Sequence, residues 1–195
     1  MANLKSICVY CGASVGGNPE YARAASKMGE LIATSGRILV YGGGGTGLMG
    51  ETARAAMAAG GRVVGVIPAR LNTIERANHD VELRVVETMH ERKQMMADLA
   101  DGFIALPGGL GTFDELFEIL TWAQIGLHKK PVGLLNTRHY FNPLLAMIEH
   151  ARTEGFIYEE HLELFTCDDR PQDLLDSLVN HQPPQGLERW LTRED

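Results

Sequence analysis

Short, almost uninterrupted apolar runs alternate along this chain with longer segments whose apolar residues recur at helical spacing. Runs of the first kind are typical of strands buried on both faces of a sheet, and the longer segments are typical of amphipathic helices. The predicted strands cover residues 5–11, 37–41, 62–67, 81–86, 102–106, 131–135 and 162–165. The predicted helices cover residues 18–35, 51–59, 88–100, 116–124, 142–152 and 171–179.

This regular alternation predicts an α/β fold, a Rossmann-like doubly wound parallel sheet of about seven strands with helices on both faces. With 195 residues, 45% of them hydrophobic, the chain is long enough to bury a core of its own, and no linker or internal repeat interrupts the pattern. We therefore expect one domain over residues 1–181, followed by a C-terminal tail over residues 182–195.

Two glycine-rich turns each follow a predicted strand: residues 42–50 (GGGGTGLMG) and residues 107–111 (PGGLG). Such turns place bare backbone N–H groups at a helix N-terminus, where an anion is favoured, and glycine lets the backbone approach a ligand closely. Because ligands of these sheets bind at the carboxyl ends of the strands, both turns should border one crevice. The candidate binding glycines are Gly43, Gly44 and Gly47 in the first turn, and Gly108, Gly109 and Gly111 in the second.

The first turn matches the dinucleotide-binding fingerprint G-x-G-x-x-G, both from Gly42 to Gly47 and from Gly45 to Gly50. The motif alone is weak, and a nicotinamide site also needs an acid near the end of the next strand, whereas residues 66–70 (VIPAR) contain none. A P-loop is excluded because no Gly-Lys-Ser or Gly-Lys-Thr follows. Two interpretations remain open: a general phosphate-binding turn, or a tight turn required only for packing.

Glu115 follows the second turn, and its position allows two roles. Thr112 and Glu115 have the spacing of a capping box, in which both side chains bind the backbone of their own helix. A carboxylate near a helix N-terminus is also favoured in its ionised form, which suits a general base or a group that stabilises positive charge. The spacing alone does not decide between these roles.

Arg92 and Lys93 lie in the first turns of the helix predicted from residue 88. Two adjacent cations at the positive end of a helix are unfavourably placed for stability, which favours a ligand-facing role for at least one of them. The alternative is a solvated helix face. Arginine offers a planar fork of donors suited to phosphate or to a purine edge.

The composition argues against several classes of function. A formal charge of −7 disfavours binding of nucleic acid through a broad basic surface. No run approaches the roughly 18 apolar residues of a membrane span. The first residues lead directly into a strand and show no signal-peptide pattern. We therefore expect a cytoplasmic protein that engages neither nucleic acid nor membrane.

Metal and thiol chemistry are equally poorly supported. His90-Glu91 does not begin the zinc motif H-E-x-x-H because position 94 is Gln, and the 7 histidines do not cluster at ligand spacing. Cys8 and Cys11 spell C-x-x-C, but Cys8 lies inside a predicted strand rather than at the start of a helix, so we favour a structural over a redox role.

Three motifs together resemble the Lonely Guy (LOG) family, whose members are cytokinin riboside 5′-monophosphate phosphoribohydrolases, often labelled lysine decarboxylase-like. The motifs are GGGGTGLMG at 42–50, MHERK at 89–93 and PGGLGTFDE at 107–115. The similarity continues through residues 121–126 and 130–135, and it covers most of residues 5–165. Each glycine turn alone is moderately specific, but the second and third motifs together are highly specific.

The resemblance implies hydrolysis of the N-glycosidic bond of an adenine-type nucleoside 5′-monophosphate, without a cofactor or metal. Arg92 and Glu115 fall at the positions that the family treats as catalytic. The implied substrate-binding residues are Glu75, Lys93, Thr121 and the loop formed by Gly108, Gly109, Leu110, Gly111 and Thr112. The family is dimeric or larger, with sites near the subunit contact, so a homodimer is implied as well.

A function of a different class stays open. The same fold resembles molybdenum-cofactor carriers and related nucleotide-sensing modules, which bind without turnover and have no need of an Arg92–Glu115 pair. The decarboxylase label is physically unpersuasive, because that chemistry requires a pyridoxal cofactor on a Schiff-base lysine with an acid at the pyridinium nitrogen. Nothing in the sequence marks such a lysine.

Overall fold

The computed structural model describes residues 4–73 and 77–184, which contain a parallel sheet of seven strands. The strands are β1 (Ser6–Tyr10), β2 (Ile38–Tyr41), β3 (Val63–Pro68), β4 (Glu82–Val86), β5 (Gly102–Ala105), β6 (Val132–Leu135) and β7 (Phe165–Asp168). Their order across the sheet is β4-β3-β2-β1-β5-β6-β7, and every neighbouring pair is parallel. The predicted fold class is confirmed.

The seventh strand was predicted at the wrong position. Residues 162–164 belong to a 3-10 segment, Glu159–Leu164, and the strand begins only at Phe165. Residues 162–165 resembled a strand in the sequence because they include core residues: Leu164 is buried in the apolar layer on one face of the sheet. Of the predicted tail, residues 182–195, only residues 182–184 belong to the described part of the chain.

The α-helices of the described residues cover both faces of the sheet. They are α1 (Pro19–Thr34), α2 (Gly47–Ala58), α3 (Met89–Leu99), α4 (Leu110–Gln124), α5 (Asn142–Thr153) and α6 (Pro171–Asn180). α2 and α4 begin earlier than their apolar periodicity predicted, with Thr46 and Gly109 at their N-cap positions. The two glycine-rich turns therefore run directly into helices.

Side chains of the strands alternate between two apolar layers, as expected for strands buried on both faces. Ile7 and Val9 of β1 pack with α1, α2 and α6, whereas Cys8 and Tyr10 pack with α3 and α4 on the other face. Cys11 lies in the first layer. The two cysteines of the C-x-x-C motif are thus buried on opposite faces, and burial raises the pKa of both thiols, which supports their structural interpretation.

The strand order reverses between β1 and β5, the place where α/β sheets bind ligands. Backbone hydrogen bonds join the loops at this edge. Gly12 donates to the Pro107 carbonyl at 3.1 Å, and Leu48 donates to the Gly12 carbonyl at 3.0 Å. The loop after β1 is therefore tied both to the turn after β5 and to the start of α2.

No helix among the described residues has the length and apolar character to cross a membrane.

Candidate active site

A cavity of about 400 Å³ opens at the carboxyl edge of the sheet, where the loops after β1, β2, β3 and β5 meet α3 and α4. Its volume lies in the range of small-molecule sites, about 300–1,000 Å³. The lining residues are Val9, Cys11, Gly12, Ala13, Gly42, Gly44, Thr46, Met49, Ile67, Leu71, Met89, Arg92, Gly109, Gly111, Thr112, Asp114 and Glu115. Both predicted catalytic residues are among them.

Arg92 on α3 and Glu115 on α4 form an ion pair in the wall of this cavity. Nη1 of Arg92 donates to Oε1 of Glu115 at 2.6 Å, and the two side chains are only 10% and 9% exposed. Burial of either charge alone would be costly, so each group depends on the other. The two residues predicted as catalytic are thereby brought together although 23 positions separate them in sequence.

The Arg92 guanidinium is held from two further directions. Its Nε donates to the Val66 carbonyl at 3.1 Å, and Nη2 donates to the Gly42 carbonyl at 3.4 Å. A Cβ at position 42 would stand 1.9 Å from Nη2, so only glycine leaves room for the arginine there. The ends of β2 and β3 therefore orient this side chain, and Arg92 lies in the buried cavity wall, not on a solvated helix face.

The Glu115 carboxyl is tuned by two opposing effects. Burial raises its pKa above the ordinary value of a glutamate, and the neighbouring Arg92 guanidinium offsets only part of that increase. Oε1 accepts from Arg92, whereas Oε2 has no hydrogen-bond partner within residues 4–73 and 77–184. One carboxylate oxygen is therefore left for a ligand or a water molecule in the cavity.

The N-terminus of α4 presents unsatisfied donors beside this carboxyl. The first backbone bond of the helix runs from the Phe113 N–H to the Gly109 carbonyl at 3.1 Å. The N–H groups of residues 109–112 consequently have no acceptor among the described residues. The first turn also contains no acid. This helix end retains its full positive potential, which suits a phosphate group.

Of the two roles left open for Glu115, the structure does not show the capping box with Thr112. Gly109 occupies the N-cap, so Thr112 is already the third residue of α4 and Glu115 lies in its second turn. The spacing of three residues also places two side chains on one face of a helix, which is the relationship that the structure shows. Glu115 bonds to Arg92 instead of to its own backbone.

The N-terminus of α2 offers fewer donors than that of α4. The Leu48 and Met49 N–H groups both bind the Gly12 carbonyl, at 3.0 and 3.3 Å. Gly47 has a φ of +63°, and a Cβ there would stand 2.2 Å from the Ala13 carbonyl carbon. The first glycine turn is thus required for close packing against the loop after β1. Its Thr46 lines the cavity, and the Thr46 side chain makes no capping hydrogen bond to α2.

Lys93 lies behind the cavity wall. Its Nζ contacts Oδ2 of Asp114 at 3.1 Å and Oε1 of Glu118 at 2.9 Å, while only 11% of its side chain is exposed. Burial acts to lower the pKa of the ammonium, but the two carboxylates outweigh it and raise that pKa. Within the described chain, Lys93 reaches the cavity only through Asp114, which lines it.

The remaining predicted binding residues divide into four groups. Gly44, Gly109, Gly111 and Thr112 line the cavity, whereas Gly43, Gly47, Gly108 and Leu110 are neighbours of lining residues. Thr121 lies on α4 away from the cavity, where its hydroxyl donates to the Phe117 carbonyl at 2.7 Å. Glu75 lies outside the described residues.

Several lining residues were not predicted. Cys11, Gly12 and Ala13 follow β1, the strand next to the reversal of strand order, and that position was the signal that could have identified them. Asp114 stands next to Glu115 in the sequence, and no spacing of its own distinguishes it from an ordinary helix-surface acid. The apolar lining residues Met49, Ile67, Leu71 and Met89 were not selected either, because apolar residues near strand ends and helix starts resemble core residues.

Metal chemistry receives no support from the part of the chain that the structure describes. No group of three or more His, Cys, Asp or Glu side chains there could hold a metal ion.

Comparison with known proteins gives one consistent family. The sequence model of a family described as "Possible lysine decarboxylase" matches residues 49–178. The chain is 54% identical over 155 residues to a cytokinin riboside 5′-monophosphate phosphoribohydrolase of Rhodococcoides fascians, an alignment covering 78% of each chain. It is 45% identical over 183 residues to the cytokinin riboside 5′-monophosphate phosphoribohydrolase LOG of Oryza sativa subsp. japonica, covering 93% of this chain and 76% of the rice protein.

Solved structures show the same fold at lower sequence similarity. A molybdenum cofactor binding protein from Rippkaea orientalis superposes with a TM-score of 0.67 at 23% identity, covering 90% of this chain and 96% of that chain. The molybdenum cofactor carrier protein of Chlamydomonas reinhardtii gives the same TM-score of 0.67 and 23% identity, covering 90% and 98%. At this level of identity the likeness concerns the fold alone.

Proposed function

Because this chain belongs to the Lonely Guy (LOG) family of cytokinin riboside 5′-monophosphate phosphoribohydrolases, we propose that it hydrolyses the N-glycosidic bond of adenine-type nucleoside 5′-monophosphates. The products are the free base and ribose 5-phosphate. The observation that carries the proposal is the buried Arg92–Glu115 pair next to the unsatisfied N-terminus of α4. This combination supplies a tuned carboxyl and an anion site within one cavity.

The 5′-phosphate binds the N-terminus of α4 in this proposal. Four consecutive N–H groups, those of residues 109–112, are free to donate to its oxygens. Glu115 follows Thr112 by three residues, so it lies about 4–5 Å further along the helix axis. The ribose then extends from the phosphate at the helix end towards the Glu115 carboxyl.

Glu115 acts on the reacting carbon. As the bond from the anomeric carbon to the base nitrogen breaks, its electron pair leaves with the base and the sugar acquires oxocarbenium character. The ionised Glu115 carboxylate stabilises that positive charge and takes a proton from the water that attacks the anomeric carbon. Transfer of a proton to the departing base nitrogen gives the neutral free base, and loss of the proton from Glu115 restores the carboxylate. Oε2, the oxygen that Arg92 does not use, is the atom available for this step.

Arg92 holds the carboxylate in position and stabilises the departing base. Nη1 and Nη2 each carry two hydrogens, and the contacts to Glu115 and Gly42 use one hydrogen of each nitrogen. Donors therefore remain to bind the nucleotide or the negative charge that develops on the base. The phosphate site contributes binding energy that positions the sugar between these groups.

The proposed substrates include cytokinin riboside 5′-monophosphates, the substrate class named for the relatives. Ile67, Leu71 and Met89 provide an apolar part of the cavity wall that suits an apolar substituent on the base. Plain AMP lacks such a substituent and leaves this surface in water. A role in cytokinin biosynthesis follows if the substituted nucleotide is the preferred substrate.

Two other activities fit the residues less well. No lysine lines the cavity among the described residues, and Lys93 is engaged by two carboxylates, so the site does not fit a pyridoxal Schiff base or lysine decarboxylation. Carriage of a molybdenum cofactor has only the shared fold in its favour. A carrier requires binding without turnover, for which the Arg92–Glu115 pair has no evident use.

We also propose that the chain forms a homodimer through an exposed face of α4. Leu110, Phe117 and Thr121 recur at intervals that place them on one side of this helix, and Leu110 and Phe117 are 86% and 44% exposed. Exposed apolar side chains on a helix can be buried against the same face of a second copy of the chain.

Two further expectations stay predictions: the role of Thr121 in substrate binding, and the cytoplasmic location.

The direct test is to incubate the purified protein with AMP and with N6-isopentenyladenosine 5′-monophosphate and to separate the products by chromatography. Release of free base together with equimolar ribose 5-phosphate is the expected result. Tight nucleotide binding without release of base would contradict hydrolysis and favour the carrier function. Release of base with ribose and free phosphate in place of ribose 5-phosphate would show that the phosphate ester is cleaved as well.

A further inference from the structure

Tyr140 lies outside the cavity, yet it contacts the backbone that forms the anion site. It follows a 3-10 turn, Thr137–His139, at the end of β6, and its hydroxyl donates to the Gly108 carbonyl. Gly108 immediately precedes Gly109, the N-cap of α4 and a lining residue. We propose that Tyr140 is a positioning residue for phosphate binding, an inference that rests on the proposed function.

The geometry of a peptide unit explains how this contact acts. The C=O of Gly108 and the N–H of Gly109 belong to one planar unit, and in a trans peptide they point in opposite directions. The described chain contains no cis peptide. A hydrogen bond that draws the Gly108 carbonyl towards Tyr140 therefore turns the Gly109 N–H to the opposite side. Tyr140 thereby sets the direction of the first unsatisfied donor at the α4 N-terminus.

The Tyr140 ring is held by other aromatic rings. Its centroid lies 6.5 Å from that of Phe113 on α4 with an interplanar angle of 13°, and 5.9 Å from that of Tyr21 on α1 with an angle of 79°. Phe141 makes an edge contact at 5.1 Å. These contacts fix the ring between α1 and the first turn of α4, so the hydroxyl has a defined direction.

The backbone before Tyr140 is strained, so the surrounding contacts must hold it in this conformation. Arg138 and His139 have φ values of 55° and 59°, in the left-handed region that residues other than glycine rarely adopt. Asn136 stabilises the turn from both sides: Oδ1 accepts from the Phe141 N–H at 2.7 Å, and Nδ2 donates to Oδ1 of Asn142 at 2.9 Å. The strained turn and the two hydrogen bonds of Asn136 together place the Tyr140 hydroxyl at the Gly108 carbonyl.

The experiment compares Tyr140→Phe with Tyr21→Phe. The first removes the hydroxyl that binds Gly108 and keeps the ring, whereas the second removes a hydroxyl from the same aromatic cluster without touching that bond. Calorimetric titration with ribose 5-phosphate and, separately, with adenine is performed on both variants and on the wild type. Thermal melting shows whether each variant is folded.

We expect Tyr140→Phe to weaken ribose 5-phosphate binding about fivefold, the effect of losing one typical hydrogen bond, while adenine binding is unchanged. Tyr21→Phe should leave both affinities unchanged. Equal ribose 5-phosphate affinity in Tyr140→Phe and wild type overturns the inference, as does a parallel loss of both ligands, which indicates a merely structural role. Because binding is measured without turnover, this result is distinct from failure of the proposed hydrolysis, which the base-release assay reveals.

Discussion

The Arg92 guanidinium contacts the Glu115 carboxylate at 2.6 Å with both side chains about one-tenth exposed, and this pair joins the two halves of the cavity. One partner comes from α3, which also reaches the ends of β2 and β3 through Arg92. The other comes from α4, whose uncapped N-terminus is the proposed anion site. A ligand that spans both halves therefore meets the carboxyl at its centre.

Glu115→Gln tests the catalytic carboxyl. The amide keeps the size of the side chain and can still accept from Arg92, but it can neither take a proton nor balance positive charge on the sugar. We expect kcat/KM to fall about 10²–10⁴-fold, the usual contribution of a general base. Thermal melting should show a folded protein of lower stability, because the buried Arg92 loses its charged partner. The matched control is Glu51→Gln, the same change at a surface ion pair with Arg54 on α2. Full activity of folded Glu115→Gln would remove the proposed role.

Arg92→Ala tests the mutual dependence of the pair. It leaves Glu115 buried without its partner, so the free energy of unfolding should fall by about 3–5 kcal/mol in chemical denaturation. The double variant Arg92→Met/Glu115→Gln should recover much of that loss, because no unpaired charge remains. Arg62→Ala, which removes an exposed partner of Glu82, should change stability little. Equal stability of Arg92→Ala and the double variant would contradict this account.

The parallel sheet and the position of the cavity could be predicted from the sequence because both depend on local patterns. Apolar runs of strand length identify β1 to β6 within a few residues, and the glycine turns stand where strands end. The start of α4 could not be predicted from the periodicity, since Gly109 and Leu110 carry no amphipathic signal. The same spacing between Thr112 and Glu115 fits a capping box and a helix face equally well.

Contacts between distant segments were the other limit. Arg92 and Glu115 could each be selected from their motifs, but the 2.6 Å contact depends on how α3 and α4 pack on the sheet. The contact of Tyr140 with the Gly108 carbonyl is of the same kind, because a tyrosine in a loop carries no sign of its partner 32 positions away. Lys93 was expected to face a ligand, and its two carboxylate partners on α4 became visible only in the structure.

The raised pKa of Glu115 predicts the pH dependence of the reaction. If the ionised carboxylate is required, kcat/KM should decline as the pH falls through a midpoint above 4.5, the ordinary glutamate value. The acidic limb should vanish from the residual activity of Glu115→Gln. A wild-type midpoint at or below 4.5 would contradict the expectation that burial raises the Glu115 pKa by more than Arg92 lowers it.

The same pKa shift has a consequence for stability, with a definite sign. The folded chain binds the Glu115 proton more tightly than the unfolded chain, so this group stabilises the fold below pH 4.5 and loses that contribution as the pH rises through the folded-state pKa. Denaturant titrations at closely spaced pH values, on the wild type and on Glu115→Gln, isolate the contribution as the difference between the two slopes. A difference that rises with pH would have the wrong sign.

Phe117→Glu tests the proposed dimer face. A charge at this 44% exposed position should prevent close contact between two copies of α4, and sedimentation velocity should then show a monomer where the wild type is a dimer. Met147→Glu places the same charge at another exposed apolar position, on α5, and should leave the wild-type sedimentation unchanged. Identical sedimentation of Phe117→Glu and wild type would place the contact elsewhere.

Met89→Ala tests whether the apolar part of the cavity selects a substituted base. Met89 is the first residue of α3, and it lines the cavity together with Ile67 near the end of β3 and Leu71 in the 3-10 turn that follows. Loss of an apolar contact of this size typically changes discrimination by about 1–3 kcal/mol, roughly 10- to 200-fold in the ratio of kcat/KM values. We expect the ratio for N6-isopentenyladenosine 5′-monophosphate over AMP to fall, with kcat/KM for AMP nearly unchanged because AMP carries no group that reaches this wall. Met147→Ala, a methionine exposed on α5, is the control for the substitution itself. If Met89→Ala reduced the kcat/KM of both substrates by the same factor, Met89 would support the site as a whole and the substituent would have to be recognised by other residues.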